Sequence, residues 1–205
     1  HLVGLHAQVL LDALVPLPGR EYSIASLPAD GTLELIVRQQ RLANGELGLG
    51  SGWLTAHLPV GAQLLARVRR NSAFHAPVDD CPLILIGNGT GLAGLRSLLK
   101  QRIGAGQSRN WLLFGERNAA HDFYCQAELD GWLASGELAR LDLAFSRDQA
   151  AKVYVQDRLR MAAEHLRRCV AEGAAIYVCG SLDGMASGVD AVLREVLGAA
   201  QVEAL

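Results

Sequence analysis

The chain has 205 residues, half of them hydrophobic and a fifth charged, with a formal net charge of −2. That is globular composition, long enough for one large domain or two small ones. A surface this close to neutral gives no argument for nucleic acid as a partner, and the longest apolar runs fall far short of the ~20 residues that span a bilayer. Cys81, Cys125, Cys169 and Cys179 form no C-x-x-C pair, and the six histidines form no ligand pattern. This argues against a metal centre and fits a reducing, cytoplasmic setting. No secretory signal is visible, and a chain opening at His1 is expected to be a piece of something longer.

Residues 2–14 are apolar with a helical pattern, ended by Pro16 and Pro18. Segments 22–26, 33–39 and 63–70 read as strands. Leu33, Leu35 and Val37 alternate with Glu34, Ile36 and Arg38, the pattern of a half-buried strand. Gly- and Asn-rich turns lie between these segments, so this part is β-sheet or β-barrel material. A seam falls at Ala76-Pro77-Val78-Asp79-Asp80. Beyond it, strands are predicted over 83–87, 111–115, 141–145 and 175–179, and helices over 92–102, 125–135, 155–172 and 185–197. Strands alternating with amphipathic helices predict a parallel sheet covered on both faces. The expected fold is an α/β domain with a parallel sheet over residues 78–205. Residues 1–77 are expected to precede it as a partial antiparallel β-barrel with an N-terminal helical segment.

Ligands of such sheets bind at the carboxyl ends of the strands. Every suspicious residue of the second part follows a predicted strand: the glycine loop, Gly115-Glu116-Arg117, Ser146-Arg147 and Cys179-Gly180-Ser181. Gly89, Gly91 and Gly94 satisfy G-x-G-x-x-G. Alone the pattern is weak, and a tight strand–helix turn is the plain alternative. The strand before it and the helix after it favour a dinucleotide, because glycine admits close approach and a helix N-terminus offers N–H groups to pyrophosphate. A usual NAD site wants an acidic residue after the second strand. Glu116 is near that place, but Arg117 follows it. Ser146, Arg147 and Lys152 look instead like a hydroxyl, a planar fork and a point charge for an extra phosphate. Tyr154 could stack on adenine. This set favours NADP over NAD; its alternative is a solvated charged loop.

Arg20-Glu21-Tyr22-Ser23 offers a cation for pyrophosphate, a ring to lie on a ring system and a hydroxyl donor. By composition alone it is an ordinary strand start. Gly48-Leu49-Gly50-Ser51-Gly52-Trp53-Leu54 reads as a turn that could supply donors to a second pyrophosphate. Cys179 ends a predicted buried strand, where a cysteine is most often a small core residue. No His or Asn is placed to make it a nucleophile.

Taken together, these motifs resemble the ferredoxin–NADP⁺ reductase superfamily, in its diflavin reductase branch, from about Leu10 onward. Arg20-Glu21-Tyr22-Ser23 resembles the R-x-Y-S flavin motif, and Gly48-Leu49-Gly50-Ser51 the flavin-pyrophosphate segment. Ser72-Ala73-Phe74 with Pro77 resembles the hinge, and Gly87-Asn88-Gly89-Thr90-Gly91 the G-x-G-T-G loop. The most specific match is Phe145-Ser146-Arg147-Asp148-Gln149 followed by Lys152-Val153-Tyr154-Val155-Gln156. Tyr177-Val178-Cys179-Gly180 with Met185-Ala186 completes the set. Gly94, His75 and Ser181 depart from residues the family commonly has there, and the family's C-terminal flavin-covering aromatic has no counterpart.

The resemblance implies a flavoprotein oxidoreductase module that passes a hydride from NADPH to FAD. Single electrons would then go to an FMN-binding, flavodoxin-like domain or to a haem or metal acceptor. It implies that Arg20, Gly48, Gly50 and Ser51 hold FAD phosphates, that Tyr22 packs on the isoalloxazine and that Ser23 bonds near its N5. Gly89, Thr90, Gly91 and Arg117 would hold NADPH near its pyrophosphate and nicotinamide. Ser146, Arg147, Lys152, Tyr154 and Gln156 would clasp its 2′-phosphate and adenine. Cys179 would lie beside the nicotinamide and, with Ser23, assist hydride transfer. FMN would belong to a domain or partner outside this chain. A cytoplasmic location, or the cytoplasmic face of a membrane for a longer anchored protein, is expected. Two other readings stay open: a nucleotide-binding interaction module without turnover, and a plain Rossmann dehydrogenase without flavin.

Overall fold

The structure, a computed structural model, describes Val9 and residues 19–204. The helix expected over 2–14 lies outside the described residues, Val9 apart.

Four parallel strands form the sheet: β1 (Leu83–Asn88), β2 (Asn110–Glu116), β3 (Arg140–Phe145) and β4 (Ala175–Cys179), in the order β3-β2-β1-β4. Burial follows that order. The first five residues of β1 and all of β2 are buried, whereas β3 and β4 at the edges are mostly half-buried. Central parallel strands are enclosed on both faces and so read as continuous apolar runs, which is how Leu83-Ile84-Leu85-Ile86 and Trp111-Leu112-Leu113-Phe114 look. In register, Ile84 lies beside Trp111 and Ile176, and Leu85 beside Leu112 and Tyr177.

Because side chains alternate across a strand, the sheet makes two cores. Leu83, Leu85, Leu112 and Phe114 pack with Leu92, Leu95, Leu98 and Leu99 of α1 (Leu92–Gly104) and Leu129 of α2 (Gln126–Ser135). Ile84, Ile86, Trp111 and Leu113 pack on the other face with Val155 and Leu159 of α3 (Val155–Met161). Leu166 and Val170 of α4 (Ala163–Ala171), and Val189, Val192 and Leu193 of α5 (Ser187–Leu197), complete that second core. The chain steps from β1 to β3 across the α1–α2 face, then returns over the opposite face to place β4 beside β1. Right-handed crossovers require that change of face.

Two helical details differ from expectation. The single helix expected over 155–172 breaks at Ala162, whose backbone leaves the helical region (φ −96°, ψ 20°). No Pro or Gly marks the break, so nothing local announces it. The helix expected over 185–197 begins instead with a wide turn at Leu182–Ala186.

The first part departs further. The strands expected over 22–26 and 33–39 meet only at one antiparallel bridge, Ile24 with Leu35, and a second bridge joins Arg41 to Leu47. Ser26 accounts for part of this: its hydroxyl accepts from Glu34 N–H at 2.9 Å and donates to Thr32 O at 2.8 Å, replacing ladder bonds with side-chain ones. Segment 63–70 forms no strand and is exposed throughout. A short unpaired ladder is marginal in water, so an alternating pattern by itself does not make a barrel. Where a turn was expected, Leu49–Gly52 is a single helical turn continued by Trp53–His57.

Below the sheet, Arg102 is the one fully buried cation among the described residues. Its guanidinium donates to Asp79 O at 2.9 Å, Cys81 O at 2.6 Å and Asn110 Oδ1 at 3.2 Å. Asp80 stands 3.6 Å away, and Asn110 in turn donates to Gln107 O and Glu137 O. The seam between the two parts is thereby pinned to the floor of β1 and β2. Arg102→Met keeps the apolar stem but leaves these buried acceptors without donors, so it should cost about 3–5 kcal/mol in urea unfolding. The exposed Arg67→Ala should stay within about 0.5 kcal/mol.

Candidate functional site

The sheet changes winding direction between β1 and β4, and their carboxyl ends open into a cleft of about 1000 Å³. Loop Gly89–Gly91 forms its floor as one tight turn between β1 and α1. Gly89 has φ +57°, the left-handed region that side chains disfavour. Gly91 is needed for space: a Cβ there would collide with the carbonyl of Cys179. Strand β4 and the glycine loop are therefore in direct backbone contact, which only glycine permits.

The cleft gathers most residues expected of it. Tyr22 and Ser23 form one wall, and Gly89, Thr90 and Gly91 the floor. Arg117, Ser146, Tyr154 and Gln156 stand on the side of β2 and β3, and Cys179 on the side of β4. A smaller groove of about 290 Å³ adjoins it and is lined by Arg20, Tyr22, Gly48, Gly50 and Ser51. The two glycine–arginine segments do meet there: a Cβ on Gly50 would lie 3.0 Å from Arg20 Cγ and 3.5 Å from Tyr22 Oη. Ser51 Oγ accepts from Gln40 N–H at 3.0 Å and fixes the turn. Arg147 and Lys152 line neither cavity and are exposed on the loop beyond β3.

The loops after β2 and β3 are tied to one another. Ser146 N–H donates to Glu116 O and Arg147 N–H to Arg117 O, both at 2.8 Å, so the ladder continues past the strands and sets the two arginines in neighbouring loops. Asp148 accepts from Ala119 N–H at 2.8 Å and Asn118 Nδ2 at 2.9 Å. These bonds, the Ala119 N–H first, hold its carboxyl below the usual carboxylate range. Tyr154 precedes α3, where its N–H donates to Asp157 Oδ2 at 2.9 Å. Gln156 Oε1 is buried and has no hydrogen-bond partner among the described residues.

Sequence reasoning missed Arg38. It lines both cavities, ion-pairs with Glu116 and donates to Tyr124 Oη at 2.9 Å. Glu116, set where an NAD site would keep a carboxylate for ribose, is thus already engaged. Only the alternation over 33–38 hinted that Arg38 had a defined direction, and its partners lie far along the chain.

The chain matches the Oxidoreductase NAD-binding domain family over residues 85–191. It belongs to that family. It is 39% identical over 200 residues to the sulfite reductase (NADPH) flavoprotein alpha-component of Salmonella typhimurium, covering 94% of this chain and 33% of the relative. The proteins of the same name from Yersinia pestis and Klebsiella pneumoniae are each 38% identical, over 94% and 98% of the chain. The chain spans about a third of the length of these relatives. Together the matches place it in the diflavin branch of the ferredoxin–NADP⁺ reductase superfamily. Among the described residues no helix is long and apolar enough to cross a membrane.

Cys179 is half-buried, and burial pushes its thiol up to about 11 from an ordinary value of 9.0. The group faces the cleft as a neutral thiol at physiological pH. Between those two values the folded chain keeps a proton that the unfolded chain has released, so stability falls as pH rises through that window. Unfolding midpoints of wild type and Cys179→Ala, taken as a function of pH, should diverge there, with the variant the flatter. Parallel curves would contradict the assignment.

Proposed function

We propose that this chain is the FAD- and NADPH-binding part of a diflavin-type reductase. It would transfer a hydride from NADPH to FAD and then single electrons to an FMN-bearing, flavodoxin-like domain or another one-electron carrier. The observation that carries the reading is the shared wall: Tyr22 and Ser23 stand in the same cleft as Gly89–Gly91 and Cys179, and the Arg20–Ser51 groove opens beside it. On this reading residues 1–77 belong to the FAD-binding part, and residues 78–205 form the NADP-binding domain.

The donor set fits two dinucleotides. The bare backbone of Gly89–Gly91 at the start of α1 suits a pyrophosphate. The unpartnered Gln156 Oε1 is an acceptor awaiting a donor, as an adenine amino group would be. Ser146, Arg147 and Lys152 would take the 2′-phosphate, with the two exposed cations at the rim reaching inward. Arg20 and Ser51 would hold the flavin's phosphates. FAD, when bound, supplies an acceptor of electron pairs that releases them singly.

The protein's own part is orientation and electrostatics. Ser23 presents a hydroxyl donor on the flavin side of the cleft. Cys179 presents an uncharged thiol opposite it, so no thiolate repels the electron-rich hydride donor. The Gly91–Cys179 contact keeps the floor thin where the two rings must meet. The relatives are NADPH flavoproteins by name, and the 2′-phosphate set proposed here would give this chain the same preference.

Arg147→Ala should weaken NADPH binding by roughly 10- to 100-fold, the loss of one charge-assisted phosphate contact, and leave NADH nearly unchanged. An unaltered preference between the two would count against the site. The reading as a whole is tested by the visible spectrum with added FAD, followed by NADPH under anaerobic conditions. Flavin bands that bleach support the reductase. NADPH binding without flavin retention leaves a nucleotide-binding module.

A further inference from the structure

We propose that Glu116 is an internal competitor for the nucleotide's pyrophosphate: its carboxylate occupies Arg38, and a bound dinucleotide must draw that guanidinium away. The inference rests on the nucleotide-binding reading of the cleft and deepens it.

Glu116 closes β2 with a side chain only 3% exposed, while that of Arg38 is 41% exposed. Its Oε2 accepts from Arg117 N–H at 2.8 Å. Its Oε1 is buried and, among the described residues, meets only the Arg38 guanidinium. The pair rests on the glycine loop: a Cβ at Gly89 would be 3.1 Å from Glu116 Oε1 and 3.6 Å from Arg38 Nη2. That backbone is what a dinucleotide phosphate would face. Carboxylate and phosphate oxygens are equivalent acceptors for a guanidinium fork, so a side chain already sits where the ligand's anion is wanted.

The exchange has a cost and a track. A buried carboxylate deprived of its cation is unfavourable, so Glu116 opposes nucleotide entry twice, by holding Arg38 and by its own negative charge. Arg38 keeps another anchor meanwhile, since its Nη2 and Nε donate to Tyr124 Oη at 2.9 and 3.3 Å, and Tyr124 lines neither cavity. The guanidinium can thus leave the carboxylate for a phosphate while staying tied to Tyr124. Because pyrophosphate is common to NADPH and NADH, Glu116 sets affinity without discriminating between them, unlike Arg147.

The test is calorimetric titration of the full chain and its Glu116→Gln variant with NADP⁺, NAD⁺ and inorganic pyrophosphate. Glu116→Gln should bind NADP⁺ about tenfold tighter, the scale of one charge-assisted contact, with a similar factor for NAD⁺ and pyrophosphate. Glu116→Ala, which removes the acceptor rather than recolouring it, should shift in the same direction. Unchanged or weaker binding in both variants overturns the proposal and makes Glu116 a residue that merely holds Arg38 in place. If wild type binds no NADP⁺ but the variants gain pyrophosphate binding, the reductase reading fails and the competition stands. If no form binds pyrophosphate, the competition fails as well.

Discussion

Arg96 is the interaction on which the arrangement of the two parts depends. From α1 it donates to Ala25 O and Glu34 Oε2 in the first part, each at 2.6 Å. It also grips both carboxylate oxygens of Glu128 on α2, at 2.5 and 2.9 Å. Its side chain is 11% exposed, so these contacts act with little screening, and the Glu128 pairing drives its pKa still higher. Ion pairs matter here because apolar packing across this boundary is confined to the partly buried Ile36, Phe74 and Ala76. Between residues 19 and 79 the buried residues are Ala25, Ser26, Gly48 and Gly52, none carrying a large apolar side chain. Lys100–Asp30 and Arg38–Glu116 add two more ionic contacts across the same boundary. Exposed pairs contribute little each; a nearly buried, multiply bonded arginine contributes more.

What Arg96 holds is the spacing between Ser23 and the glycine loop. Ala25, whose carbonyl it takes, is two residues past Ser23 in the flavin-type motif. Gly94, on the turn of α1 before Arg96, leaves room for Phe74, whose ring would lie 3.1 Å from a Cβ there. Phe74 stacks edge-on to Tyr177 of β4 at 5.4 Å, and Tyr177 donates to His75 O. Helix, hinge and edge strand therefore converge behind Ser23, which lines the cleft; a Cβ on Gly94 would lie 3.8 Å from its Cβ. A reaction that needs two ring systems in contact needs such a wall, since small misplacements are costly in rate.

The parallel sheet and its helices were legible because their signals are local. Four apolar runs, each followed by glycine or a charged loop, marked the strands to within a residue or two at either end. The break at Ala162 was not legible, since neither residue propensity nor spacing changes there. The ion pairs were illegible for a different reason: Glu34 and Ala25 stand 62 and 71 residues from Arg96, and Tyr124 stands 86 from Arg38. No window of sequence contains both partners. The expected barrel strands failed in the opposite sense. Leu33–Arg38 carries a true alternation, but a strand is completed by its neighbours, and here Ser26 supplies ladder bonds instead. For the site, the glycine loop and Cys179 emerged from sequence and meet in space, whereas Arg147 and Lys152 stand at the rim rather than in the lining.

Charge distribution explains how a chain of net charge −2 can favour a polyanion at one edge. Several arginines already have a carboxylate partner: Arg96, Arg102, Arg140, Arg160 and Arg194 among them. Arg117, Arg147 and Lys152 have no ion-pair partner among the described residues, and all three belong to the loops beyond β2 and β3. Their field adds to the partial positive charge at the start of α1. Net charge thus bears on solubility, while cations gathered in loops beside one helix start bear on where an anion is drawn. Glu116 tempers that field from within, which is why a buried carboxylate beside the glycine loop is the feature of this cleft that its neighbours must balance.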